Sequence, residues 1–182
     1  KLERFATVPT GAEITGIIVT DNDDVMFNVQ HPSAMSKFPY NRGVVGIVNG
    51  FKANDSFSEI GVPEGDDIFD VKVAAGSYQV VARVGEEIPN DIYGHRFGQV
   101  NRMDGTLKEM CNHPDGNMFL PITSSGDEAY LYTNYECRPG NVARIYMKRN
   151  GGSWDVLDGE NVNFDAVKGT LNNCNASVTP WN

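Results

Sequence analysis

The closing stretch of the chain, Leu171 to Asn182, carries the residue types best suited to chemistry. Cys174 follows Asn172 and Asn173 and precedes Asn175, Ala176, Ser177 and the run Thr179-Pro180-Trp181. Asn, Ser and Pro favour turns, because their side chains bond the local backbone or fix φ. A thiol on a turn is more accessible than one in a core strand, and an accessible thiol among carboxamides suits metal binding or nucleophilic chemistry. Composition alone favours a plainer arrangement, a buried cysteine beside a packed tryptophan. Three acidic groups follow the same logic: Asp21-Asn22-Asp23-Asp24, Glu64-Gly65-Asp66-Asp67 and Gly85-Glu86-Glu87. Carboxylate-rich loops suit hard cations such as calcium, and equally serve as solvated surface. Arg138 and Arg144 offer guanidinium forks that match phosphate oxygens or pair with surface carboxylates. His31, before Pro32, and His113, in a turn-forming cluster, read as structural histidines, and His95 as a surface one.

The chain of 182 residues is long enough for one domain with a real core, and its formal net charge is −9. That charge disfavours a nucleic-acid partner, and none is expected, since phosphate backbones need clustered Lys and Arg, and Lys148-Arg149 is the longest basic grouping. No apolar run approaches the ~20 residues that span a bilayer. Three cysteines leave an odd one. In an oxidising compartment Cys111 and Cys137 could pair, freeing Cys174. No Cys-x-x-Cys or His-x-x-x-His spacing marks a structural zinc site. The chain starts at Lys1 without an initiator Met, as a processed mature form or the ordered part of something longer would.

The elements that must position these groups read as strands. Glu13–Thr20 is rich in β-branched residues, Asp21–Asp24 is a turn, and Val25–Gln30 alternates apolar and polar, which together predict a hairpin. Further strands are expected at Gly43–Val48, ending at Asn49-Gly50, then at Tyr78–Val84, Ala129–Tyr135, Ala143–Lys148 and Trp154–Leu157, with a last one starting at Thr170-Leu171. No amphipathic helix of twelve residues is legible, and Asp55–Val71 holds a short helix at most. The polar segment 85–117 reads as a long ordered loop of the kind that carries function. The fold class is all-β, a sandwich, barrel or propeller.

Three stretches together resemble the PhoX-type alkaline phosphatases. Gly11-Ala12-Glu13-Ile14-Thr15-Gly16 with Asn28-Val29-Gln30-His31-Pro32 is similar to the family's Gly-Ala-Glu-x-Thr-Gly and Asn-x-Gln-His-Pro. The run from Asn112-His113-Pro114-Asp115 through Phe119-Leu120-Pro121 to Tyr132-Thr133-Asn134-Tyr135-Glu136 is similar to a family segment in which a Phe-x-Pro-Leu element leads to an Asn-His-Glu strand end. Leu171-Asn172-Asn173-Cys174 with Thr179-Pro180-Trp181 is similar to its Leu-Asn-Asn-Cys-Ala-Gly-Gly-x-Thr-Pro-Trp-Gly. Tyr135 stands for the family's His, Ala176-Ser177 for its two glycines and Asn182 for its closing Gly.

The resemblance implies a secreted or periplasmic phosphatase of phosphate monoesters. It implies β-propeller-like antiparallel sheets with iron and calcium at the centre. Cys174 would be the thiolate ligand, Glu13 would point into the site, and Asn173 and Glu136 would contact metal or substrate. A six-bladed propeller needs well over 182 residues, so residues 1–182 are expected to form part of one, completed by a partner chain or a homo-oligomer. The alternative is a non-catalytic assembly protein built from such sheets, which expects Cys174 buried or in a disulfide.

Overall fold

A computed structural model describes residues 2–181; Lys1 and Asn182 lie outside the described residues. The chain is all-β, and every strand pairing is antiparallel. Its strands are β1 (Ala6–Thr7), β2 (Glu13–Val19), β3 (Asp24–Gln30), β4 (Val44–Lys52), β5 (Lys72–Val73) and β6 (Ser77–Arg83), then β7 (Gln99–Asn101), β8 (Leu107–Met110), β9 (Pro114–Pro121), β10 (Glu128–Tyr135), β11 (Asn141–Asn150) and β12 (Ser153–Asn161). Two four-stranded meanders, in the orders β2-β3-β4-β6 and β9-β10-β11-β12, form the body, with β1-β5 and β7-β8 as small ribbons.

The two meanders stack face to face, β2 beside β9 and β6 beside β12. Strand alternation sets what lies between them. In β10 every second residue is buried, which turns Ala129, Leu131, Thr133 and Tyr135 inward and Tyr130 and Tyr132 outward. Met26, Val45 and Ile47 of the first sheet meet Leu131, Ile145, Met147 and Trp154 of the second in one core. Burying a side chain of this size contributes about 1.5–3 kcal/mol. A second cluster covers the outer face of the first sheet, where Phe5 and Phe57 pack on Phe27, Val48 and Phe51. Strand β3 is therefore covered on both faces, and its burial is nearly continuous.

Polar ties cross between the sheets, and two of them centre on side-chain amides. Gln79 of β6 accepts from the Trp154 backbone N–H at 3.0 Å and donates to its carbonyl at 2.6 Å. Nearer the first strands, Asn117 Nδ2 donates to the Gly16 carbonyl and to Asn28 Oδ1, both at 2.9 Å, while its Oδ1 accepts from Thr133 Oγ1 at 2.7 Å. Asn28 and Thr133 are fully buried and Asn117 is 2% exposed, so this network replaces water that cannot enter.

A contact plan repeats along the first strands. Gly16, at φ +56°, lies so close to β9 that a Cβ there would stand 2.0 Å from the Asp115 carbonyl, which accepts from Asn28 Nδ2 at 2.5 Å. Likewise a Cβ on Gly116 would stand 2.3 Å from Ala176 N; there the Cys174 carbonyl accepts from Asn134 Nδ2 at 2.8 Å and from Gly116 N–H at 3.2 Å. The segment after Cys174 thus lies along β9 as β9 lies along β2.

Several sequence expectations shift. The segment 85–117 is not a single loop: it holds β7, β8 and the start of β9. Pro114 is accommodated because it is the first residue of its strand, and Asp115-Gly116, which reads as a turn, is extended because the chain at Ala176 needs the space of a Cβ. Strand β4 does not stop at Asn49-Gly50 but runs to Lys52, with the register jumping from Val25↔Val48 to Asp24↔Lys52 around Gly50 at φ +72°. Thr170-Leu171 starts no strand, and Asp55–Val71 holds a 3₁₀ turn at Gly65–Phe69. Among the described residues no helix is long and apolar enough to cross a membrane.

Candidate metal centre

The hairpin registers bring the starts of β2 and β9 together with the ends of β3 and β10, pairing Glu13 with Gln30 and Pro114 with Tyr135. Glu13, Gln30 and His31 of the first sheet therefore share one end of the stack with His113, Asp115 and Glu136 of the second. The carbonyl of His113 accepts from the Glu136 backbone N–H at 2.9 Å, which fixes the residue after β10 against the residue before β9. Cys174 is carried over them by the closing segment and held by Asn134.

One donor atom each from Asp115, Glu136 and Cys174 lies within 4.8 Å of the others. Cys111 and Cys137 form a disulfide, and Cys174 is free and exposed. The plainer expectation of a buried cysteine beside a packed tryptophan is overturned, since Trp181 is also 81% exposed. Both oxygens of Glu136 are held by amides, Oε2 by Gln30 Nε2 at 3.2 Å and Oε1 by Asn172 Nδ2 at 2.9 Å.

The charges press on one another. A hydrogen bond from Cys174, the Gln30 and Asn172 amides and nearby His113 hold the Glu136 carboxyl below its usual range. Partial burial, then the charges of Glu136 and Glu13, push the Asp115 carboxyl up. The bond to Glu136 holds the Cys174 thiol up, reinforced by burial and by the charges of Glu136 and Asp115. A thiol and two carboxyls crowded until two of the three resist ionising form a donor set whose repulsion a cation would relieve.

The residues singled out from the sequence divide. Cys174 and Glu136 meet in the cluster. Glu13 stands at its rim, with Oε1 3.3 Å from His31 Nε2, and His31 lies 5.5 Å from the His113 ring. Asn173 turns elsewhere: its Nδ2 donates to Thr170 Oγ1 at 2.9 Å and to the Asn141 carbonyl at 3.2 Å. Arg138 Nε donates to Asn172 Oδ1 at 3.2 Å, whereas Arg144 lies on the outer face beside Glu160 and the Tyr130 ring. The acidic loops form no cluster with these donors; Asp24 pairs with Lys52 and Arg149, Glu86 with Arg83, and Glu87 with Arg96.

Asp115 gains no site role from the sequence, where it lies in a turn-forming run of the polar segment 85–117. Its marker is the doublet of a side chain and a glycine at the start of each sheet, Thr15-Gly16 and Asp115-Gly116. Compared with family models, curated proteins and solved structures, the chain matches none.

Proposed function

We propose that this chain is part of a secreted PhoX-like metal-dependent phosphatase and contributes the thiolate–carboxylate half of its metal centre. The observation that carries this reading is the convergence of Cys174, Glu136 and Asp115 at one end of the stacked sheets. Two four-stranded meanders packed face to face with their first strands adjacent are the arrangement of neighbouring propeller blades, which supports a propeller in which this end faces the axis. The Cys111–Cys137 disulfide supports an oxidising compartment. The assembly alternative expects Cys174 buried or bridged, and it is neither. In this reading the exposed Ile17 and Val19 of β2 are where a partner sheet would pack.

The donor set fits a transition cation such as iron, because thiolate ligands select softer ions than calcium, whose ligands are oxygens. Such an ion would supply Lewis-acid charge to phosphoryl oxygens. The chain's own residues do the rest. Cys174 Sγ would give its proton to solvent and serve as a ligand, Glu136 is already oriented by Gln30 and Asn172, and Asp115 would add the second carboxylate. Glu13, His31 and His113 line the rim a phosphate monoester would approach.

Titration of the purified chain with Co²⁺ tests the reading by the thiolate-to-cobalt absorption band. The band should appear at one equivalent, shift on addition of inorganic phosphate and vanish in Cys174→Ser. No band, or a band that survives in Cys174→Ser, would refute the metal centre.

A further inference from the structure

Asn172 lies two residues before Cys174 and outside the donor set, yet it touches both Cys174 and Glu136. Its Nδ2 donates to Glu136 Oε1 at 2.9 Å and stands 3.8 Å from Cys174 Sγ. Its carbonyl lies 3.3 Å from Cys174 Sγ. Its Oδ1 accepts from Arg138 Nε at 3.2 Å, and its backbone N–H donates to the Cys137 carbonyl at 2.8 Å. Its backbone is left-handed, at φ +55°.

We infer that Asn172 is the positioning residue of this centre: its side-chain amide holds Glu136 and Cys174 at the spacing of two ligands of one ion. The inference rests on the metal-centre reading above. The residue type follows from the geometry. Asn and Asp, after Gly, tolerate the left-handed region best, because a short polar side chain bonds locally there. Of the three, only Asn brings N–H donors. Asp would set a third negative charge against Glu136 and Cys174, and Gly would present nothing.

The amide carries two N–H groups, and both Glu136 Oε1 and Cys174 Sγ lie within reach of its Nδ2, so one side chain spans the two groups. Arg138, on Oδ1, fixes which edge of the amide faces the ligands. Outer partners of this kind orient ligands, and their loss typically weakens metal binding 10–100-fold.

Two substitutions separate this role from support of the turn. Asn172→Gly keeps the left-handed backbone and removes the amide; Asn172→Asp keeps size, backbone preference and the acceptor for Arg138 but removes the donors. Co²⁺ titrations of the purified chain should show both variants binding about 10–100-fold more weakly than wild type. The thiolate-to-cobalt band should shift, because the sulfur lacks its N–H donor, and the metal-free melting temperature of Asn172→Gly should stay at the wild-type value. Either variant binding Co²⁺ as tightly as wild type with an unchanged band would overturn the inference and leave the metal centre standing. A wild-type chain without a Cys174-dependent band would overturn both.

Discussion

Replacing Asn117 by Ala removes the buried link between the two sheets, and its cost can be worked out bond by bond. Three hydrogen bonds are lost, to the Gly16 carbonyl, Asn28 Oδ1 and Thr133 Oγ1. Asn28 and Thr133 are fully buried and Gly16 is partly so, and a buried polar group left unpaired costs about 1–3 kcal/mol. Partial rescue of the Gly16 carbonyl and some relaxation bring the expected total to about 3–5 kcal/mol. That is a large share of the ~5–15 kcal/mol stability of a typical domain. With a urea slope near 2 kcal/mol per molar, the unfolding midpoint should fall by about 1.5–2.5 M. The coupling can be isolated, because Thr133 bonds this network through Asn117. Thr133→Val alone orphans Asn117 Oδ1, and the double variant should cost about 1–2 kcal/mol less than the sum of the singles. The damage should also reach the cluster of Asp115, Glu136 and Cys174, since Asn28, freed from Asn117, is the donor to the Asp115 carbonyl. A loss below about 1 kcal/mol for Asn117→Ala, or additivity within about 0.5 kcal/mol in the cycle, would refute the reasoning.

Two further outcomes follow from the chemistry at the same end. The Cys111–Cys137 bridge spans 26 residues of sequence, and closing such a loop in the unfolded chain is worth about 3.5 kcal/mol. Reductant should destabilise wild type by that order in urea unfolding and leave a Cys111→Ala/Cys137→Ala variant unmoved. The second outcome concerns pH. The folded Cys174 thiol is held up, so the stability it contributes is present below its unfolded value, about 8.5, and is lost as pH rises through the folded one. Glu136 is held down, so its contribution is present above about 4.3 and is lost as pH falls. At pH 8.5 the metal-free folded chain should therefore be alkylated by iodoacetamide at Cys174 more slowly than the urea-unfolded chain. Glu136→Gln, which removes the first cause of the thiol's shift, should recover most of the rate; an unchanged rate would show that Glu136 does not govern it.

The hairpins of the body were legible because their alternation is the physical cause of their burial, as in β3 and β10. The strand β9 was not, since Asp115-Gly116 has turn composition, and only the third segment lying against Gly116 shows why a glycine is needed in an extended strand there. Cys174 was legible as accessible from its turn-forming neighbours, although composition pointed the other way. Glu136 stood out only through a family resemblance, because nothing local marks a carboxylate after a strand as anything but solvated. Asn173 and Asn172 are indistinguishable in sequence. What separates them is φ, and the left-handed turn at Asn172 aims one amide at Glu136 and Cys174 and leaves the next for the scaffold.

The grip that joins one first strand to the next closes on a backbone carbonyl, that of Asp115 under Asn28 and that of Cys174 under Asn134. Side chains at those places take no part in it. Thr15 precedes its glycine as Asp115 precedes Gly116, and Cys174 takes the next place, so a hydroxyl, a carboxylate and a thiol occupy successive steps of one repeated frame. A lineage that multiplied such a sheet would inherit the frame with each copy. It could then exchange the chemistry at each step by single substitutions, without relearning how the sheets hold together.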